Sequence, residues 1–388
     1  MFRTLIIWSI ATMLAMVSIF LAIGGITKNK LPETAITVPI VNGFAYKAAA
    51  LHSMQNYISG NGDTLPAKAD PRTIKLARLA FLSEPTTSEA VALMALSRDG
   101  RVREKLMENA MLLSKRNQFA IGWMILNSSA NDDIAGVLEY YDISIRTSPS
   151  TAELLLPIMV SLLKYENAVQ PLAEIMKKDP PWMSGFWYNV LMQKDAMTNA
   201  VKLRLALMDS ELPVSDFQDD ALLTSLVNNG YIANAETLYN SLKPRQATNI
   251  IVHDGDFDMH PTYTPFDWQL FSNGEYGAEI FDGSLNLSAI SNAGGIFARQ
   301  LVTLPNGKFN LQISMDKPND GNETISVQLS CAEIPSKRLN PVNIPLRSRK
   351  TERILDNSPG ICRYYWLNIV GSPSDRGYDA RLYSIKIN

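Results

Sequence analysis

Three aspartates, Asp254, Asp256 and Asp258, alternate along the chain, flanked by two of its three histidines, His253 and His260. Alternating carboxylates open a calcium loop, and imidazole beside carboxylate suits a transition metal. The spacing rejects an EF-hand. Met259 stands where the sixth position needs glycine, and Pro265 where the twelfth needs glutamate. Two histidines seven apart in a turn make a poor transition-metal site. What survives is one structural Ca²⁺ on Asp256 and backbone carbonyls, with surface-turn chemistry as the default. The third histidine, His52, and two cysteines, Cys331 and Cys362, leave no set for a Cys₄ or Cys₂His₂ zinc cluster. No Gly-x-Ser-x-Gly elbow, phosphate loop or dinucleotide fingerprint occurs. The 38 acidic residues include no marked pair for glycoside cleavage. The chain reads as non-enzymatic, with a glycan-modifying enzyme as the alternative.

Sugar recognition finds better material. A pyranose stacks its C–H face on an aromatic ring while polar side chains fork onto its hydroxyls. The C-terminal part offers Trp268, Tyr276, Phe281, Tyr364, Tyr365 and Trp366 for stacking, and Asn273, Asn292, Arg299 and Asn368 as polar partners. Trp268, Tyr276, Asn292, Arg299 and Tyr365 form the glycan-binding set we single out. Successive strand residues point to opposite faces, so Tyr365 opposes Tyr364 and Trp366. Nothing in the sequence selects between the faces.

These residues sit on elements that read as β. Short alternating runs such as KFNLQISMD (308–316), TISVQLSCAEI (324–334) and YYWLNIV (364–370) are separated by turns such as Pro305–Lys308 and Pro318–Gly321. About eight strands in this length predict an antiparallel β-sandwich, with the jelly roll as leading version. Cys331 ends one run and Cys362 opens another, so both lie at strand margins. Facing antiparallel strands bring Cα atoms within disulfide reach. The predicted Cys331–Cys362 bond closes a loop of 30 intervening residues.

The middle of the chain, from Ala45 to about Leu242, has the three- and four-residue spacing of helices. Breakers fall at Pro85, Asn117, Pro149, Pro181 and Pro213, 32 residues apart, and Pro244 follows 31 later. Two helices per 32 residues with a proline after the second resembles the tetratricopeptide repeat. Ala168, Leu172, Ile175 and Pro180 carry the best local match, and Gly100 and Gly136 suit the turns between paired helices. The first-helix Trp and Tyr of that family are mostly absent. The resemblance implies an α-solenoid whose stacked hairpins bury one another's apolar faces and whose groove takes a protein partner. A spacer solenoid is the plainer alternative. Arg98, Arg101, Arg103, Lys105, Lys115 and Arg116 would line such a groove or form a solvated face.

The N-terminus supplies an uncleaved anchor, with a removed signal peptide as the alternative. Twenty-four uncharged residues separate Arg3 from Lys28, enough at 1.5 Å per residue to cross a bilayer core of about 30 Å, and longer than the usual signal-peptide core. Positive charges flanking the span nearly tie; the cysteine pair favours an oxidising compartment. Residues 28–388 are therefore expected in the periplasm, behind a single inner-membrane span. Lys plus Arg number 36 against 38 acids, a net charge of −2, which excludes nucleic acid as partner.

The opening HDGDFDMHPTYTPFDWQLF and the central GIFARQLVTLPNGKFNLQISM resemble jelly-roll carbohydrate-binding modules, which begin with such a turn and a Phe-x-Trp strand. The whole layout resembles envelope proteins of sphingomonad-type bacteria associated with exopolysaccharide systems. The predicted domains are a signal-anchor (1–30), a linker (31–43), tetratricopeptide-like repeats (44–245) and a carbohydrate-binding-module-like sandwich (247–388). The resemblances imply a periplasmic scaffold that binds a protein through its repeats and polysaccharide through its sandwich; a purely structural envelope component is the other alternative.

Overall fold

The computed structural model describes residues 2–27, 30–39, 41–60, 68–208, 215–243, 250–316, 325–333 and 340–388. Lys28, Pro213, Pro244 and the Pro318–Gly321 turn lie outside the described residues. Fourteen α-helices precede ten strands among those described. Helix α1 (Phe2–Thr27) holds the apolar run, of which Ile6–Thr27 is long and apolar enough to cross a membrane. A short α2 (Pro32–Ala35) and α3 (Gly43–Gly60) follow. The others are α4 (Pro71–Ser83), α5 (Ser88–Ala95), α6 (Gly100–Leu113), α7 (Gln118–Ala130), α8 (Ile134–Thr147), α9 (Ala152–Ser161), α10 (Val169–Met176), α11 (Met183–Val190), α12 (Met197–Met208), α13 (Asp216–Asn228) and α14 (Ile232–Leu242).

Every described breaker falls between α-helices, Pro149 opening a 3₁₀ turn ahead of α9, and two α-helices lie between consecutive breakers. The reason is local chemistry. Pro85 lies in the turn after α4, and Pro181 precedes α11, where no i→i−4 donor is lost. Asn117 replaces proline as a cap, its side chain accepting from Ala120 N at 3.1 Å. Asp70 and Asp133 cap α4 and α8 in the same way. Gly100 enters α6 at φ +56°, a left-handed conformation that favours glycine. Small buried residues, among them Ala77, Ala80, Ala92 and Ala110, form much of the first helical core with Leu93 and Met107.

The chain divides into two compact units, residues 1–186 and 187–388. The second contains α12 to α14 together with the strands. These are β1 (Gln269–Leu270), β2 (Tyr276–Ile280), β3 (Leu285–Ala289), β4 (Gly295–Thr303), β5 (Lys308–Met315), β6 (Ile325–Cys331), β7 (Val342–Pro345), β8 (Lys350–Asp356), β9 (Tyr364–Gly371) and β10 (Tyr378–Ile387). They form two five-stranded antiparallel sheets, in the orders β1-β4-β9-β6-β7 and β2-β3-β10-β5-β8. Strands β5 and β6 alternate buried and less buried residues along their length, as half-buried strands must. Phe297, Leu311, Val327, Leu367, Leu382 and Ile385 fill the space between the sheets.

Carboxylates tie α13 and α14 to the sandwich. Asp220 accepts from Thr264 N at 2.6 Å and its hydroxyl at 2.7 Å. Glu236 accepts from Thr303 Oγ1, Arg363 Nη2 and the Tyr364 hydroxyl at 2.8–3.1 Å. Asp267, almost fully buried, accepts from Lys243 Nζ, Tyr239 OH and the backbone N–H groups of Thr262 and Tyr263 at 2.7–2.9 Å. Nearby, Arg204 and Asp219 form a buried two-pronged pair at 2.7 and 2.8 Å. Helices 13 and 14 therefore fold with the sandwich, not apart from it.

Cys331, the last residue of β6, and Cys362, two residues before β9, are disulfide-bonded with Cα atoms 5.9 Å apart. The bond seals the end of the β6–β9 pairing, where Cys331 faces Tyr365.

Candidate functional site

Strands β2, β3 and β10 present their outer face to solvent as an open trough of about 610 Å³, within the size range of small-ligand sites. Its floor is set by register. Glu279, Asn286 and Arg381 stand side by side across the three strands, and Gly277, Ser288 and Asp379 form the neighbouring row. Strands about 4.8 Å apart spread each row over about 10 Å. Among the described residues, the side chains of Glu279, Asp379 and Arg381 have no hydrogen-bond or ion-pair partner. Asn286 Nδ2 donates to Phe281 O at 3.3 Å.

Phe281 ends β2's outer face and is 69% exposed, a bare aromatic ring at the edge of the trough. A two-residue turn holds it there. Asp282 and Gly283 both have positive φ, 50° and 63°, as a type I′ hairpin requires, and Phe281 and Ser284 exchange backbone hydrogen bonds across it. That turn sets Glu279 opposite Asn286. Free acceptor, amide and free donor thus lie in line beside a stacking surface.

The opposite sheet carries a second aromatic–cation cluster. Arg299 lies 4.2 Å from the Trp366 ring centroid and 5.4 Å from that of Phe271, and its Nε donates to Gln269 Oε1 at 2.7 Å. Burial lowers the Arg299 pKa from its ordinary value. Asn368 shares this outer face, being paired with Arg299, and is buried. Here the guanidinium occupies the ring face that a sugar would need.

The structure disperses the predicted glycan set. Trp268 is 1% exposed; it packs on Phe257 and donates to Asp254 O, so no ring face is open to a ligand. The half-buried Tyr276 packs on Phe297 at 5.1 Å, over the position a Gly295 side chain would take, and reaches only the border of the trough. Asn292 is a positive-φ turn residue whose N–H donates to Ser374 O at 2.7 Å. Tyr365 points to the core side of β9, and its hydroxyl donates to Asn357 Oδ1 at 2.6 Å. Arg299 lies on the other sheet from Phe281.

The residues of the metal reading have other partners in the structure. The Asp256 carboxylate pairs with Lys386 Nζ at 2.9 Å. Asp254 accepts from the N–H groups of Asp258 and Met259, closing its own turn. The His253 ring sits edge-on to Tyr239 at 5.1 Å. Among the described residues the one three-donor cluster is Cys331, Glu333 and Cys362, and its two sulfurs are bonded to each other.

Sequence reasoning passed over Glu279, Asn286, Asp379 and Arg381. A signal existed for two of them: the Asp282-Gly283 pair flanked by EIF and SLN marks a tight hairpin and pairs 279 with 286. Nothing local signals Arg381, which arrives from a strand 95 positions after Asn286.

Burial, followed by the hydrogen bond to Glu236, pushes the Tyr364 pKa up to about 12. Its unfolded value is about 10. A raised folded-state pKa gives stability that is complete below pH ~10 and lost as pH rises towards 12. Alkaline titration followed by tyrosinate absorbance should show one late-ionising tyrosine fewer in Tyr364→Phe than in wild type, with Tyr263, buried and bonded to Asp216, still ionising late. An unchanged late phase in that variant would assign it to another tyrosine.

No family model matches the sequence, and no curated protein matches it. Two solved structures are similar to part of it. One, described by the words "CBM4 structure and function", is 12% identical and covers 35% of this chain and 98% of its own, with a TM-score of 0.26. The other is TmCBM61 in complex with β-1,4-galactotriose, 10% identical over 37% of this chain and 96% of its own, with a TM-score of 0.23.

Proposed function

We propose that this protein is a membrane-anchored, non-catalytic binder of polysaccharide, whose β-sandwich holds a glycan chain in the Phe281 trough. The observation that carries this reading is the in-register row Glu279, Asn286, Arg381 beside an exposed phenylalanine. A sugar hydroxyl both donates and accepts, and the row offers an acceptor, an amide and a donor in line. The ionic groups of the row are not committed to neighbours, so a ligand does not have to break ion pairs to use them. The length and composition of α1 support an anchor. The disulfide supports an oxidising compartment, hence the periplasmic side of a bacterial inner membrane. In this reading the helical pairs form a tetratricopeptide-like scaffold whose groove takes a protein partner, within exopolysaccharide synthesis or export.

Affinity electrophoresis through gels containing different polysaccharides tests the reading. Wild type should be retarded by at least one of them. Losing an aromatic stacking contact costs about 1 kcal/mol, so Phe281→Ala should bind about fivefold more weakly. Trp366→Ala, on the opposite sheet, should bind as wild type does. Retardation lost in Trp366→Ala and kept in Phe281→Ala would move the site to the Arg299 cluster. Release of reducing ends would overturn the non-catalytic reading, and absence of retardation in every gel would leave a purely structural role.

A further inference from the structure

The thirteen consecutive residues from Thr34 to Tyr46 carry no charge. A run of about 10–14 such residues is too short to cross a bilayer and has the length of a re-entrant or interfacial segment. Its path in the fold is unusual. After α1 ends at Thr27 and α2 makes one turn, the chain runs back along α1. Pro39 shares a cleft with Thr12, Met13, Met16 and Phe20 of that helix. By Asn42 the chain has returned to the level of Gly24, where a side-chain carbon on the glycine would lie 3.3 Å from Asn42 Nδ2. Thr12 and Met16 precede Thr27 by 15 and 11 residues, which is about 16–22 Å of helix. The segment is thus a hairpin whose deep end, near Pro39, reaches the middle of α1.

Among its exposed side chains, besides Thr34 and Thr37, are some that water rejects. Leu31 and Val41 are exposed, as is Ile26 near the end of α1, while the Phe44 ring lies under the Lys47 ammonium at 5.8 Å, where the run ends. Two carboxylates flank the run at its wide end: Glu33 precedes it and is held by Arg72 at 2.6 Å, and the Glu84 side chain packs against Gly43. The Thr37 hydroxyl is satisfied locally, donating to Thr34 O at 2.8 Å. Asn42 Oδ1 caps α3 by accepting from Ala45 N. Irregular backbone at membrane depth is tolerated only against protein, and α1 supplies that wall.

We infer that the segment around Pro39 and Val41 is a re-entrant loop that enters the bilayer beside α1, so that lipid covers Val41. This rests on the reading of α1 as a membrane span. The loop widens the anchor from a single helix to a helix-and-hairpin wedge, and it orients α3 at the membrane surface.

The test uses the full-length protein in nanodiscs of phosphatidylethanolamine and phosphatidylglycerol. Single cysteines are introduced as Val41→Cys, Met16→Cys and Leu82→Cys; the native cysteines are bonded to each other and buried. All three positions are exposed, so the substitutions leave the packing intact. A membrane-impermeant maleimide should label position 82 readily, and positions 16 and 41 at least tenfold more slowly. A fluorophore at 41 should be quenched by a quencher carried on the lipid chains, and one at 82 should not. Rapid labelling at 41 with 16 protected overturns the loop and leaves the anchor standing. Rapid labelling at 16 removes the anchor, and the loop with it. Slow labelling at 41 without lipid quenching shows that protein covers the segment, which also overturns the inference.

Discussion

Asp267→Ala should lower the unfolding free energy of the unit formed by residues 187–388 by about 3–5 kcal/mol. The carboxylate is 6% exposed and accepts four hydrogen bonds at the junction of α14 and the sandwich. Alanine leaves the Lys243 ammonium, the buried Tyr239 hydroxyl and two backbone N–H groups without their acceptor. Each orphaned buried donor costs about 1–3 kcal/mol, while water reaches the partly exposed Lys243 ammonium. Burial alone would raise the Asp267 pKa; the Lys243 ammonium, the N–H groups of Tyr263 and Thr262 and the Tyr239 hydroxyl together hold it below the usual carboxylate range. The sign of the pH effect follows. A depressed folded-state pKa gives stability that is complete above the unfolded value, about 3.9, and lost as pH falls through the folded one. Denaturant midpoints should therefore fall for wild type below about pH 4, with a flatter dependence in Asp267→Ala. A variant within about 1 kcal/mol of wild type would show that this carboxylate does not fix the junction.

Replacing both Cys331 and Cys362 by alanine should cost about 3–4 kcal/mol, the loop-closure entropy of the 30 enclosed residues. The damage should begin at one place. Beside the bond, Ala332 N donates to Tyr364 O at 2.9 Å, and Glu333 accepts from Arg363 N at 2.7 Å. Arg363 and Tyr364 are also two of the three donors to Glu236 on α14. Fraying of the β6 end should thus reach the helix junction, and hydrogen exchange should quicken at Ala332 and Tyr364 before it does in the centre of β9. Non-reducing mass spectrometry of the exported protein should find the two cysteines linked within one chain. Full alkylation of both without reductant would contradict the bond and remove the chief support for an oxidising compartment.

Much of the secondary structure was legible because its causes are local. Proline and asparagine at fixed intervals end helices by removing or capturing backbone donors, so the helix pairs between Pro85 and Pro181 could be counted from the chain. An uncharged stretch before Lys28 has one economical reading, and the structure makes it a single helix. Alternation with period two marked most strands, and the cysteines at their margins could be paired because only two exist. The placement of α13 and α14 was not legible. Their amphipathic pattern matches that of the earlier helices, and the carboxylates that bind them to the sandwich, Asp220, Glu236 and Asp267, look like ordinary surface acids until their partners are known.

By itself, the sequence determined the inventory: a membrane-length helix, paired helices, two-faced strands and one disulfide. Only the tertiary structure decided which faces meet water. A strand's pleat separates its side chains into two sets and is indifferent to which set is buried; that choice belongs to the opposing sheet. Trp268 went to the core, Tyr365 turned inward, and Arg299 covered Trp366, while Phe281, one of many aromatics in the sequence, was left bare. The row of Glu279, Asn286 and Arg381 needed more still. A tight Asp-Gly turn aligns the first two locally, but Arg381 joins them only when β10 pairs with β3 in one register, and a shift of one residue would send its side chain through to the core.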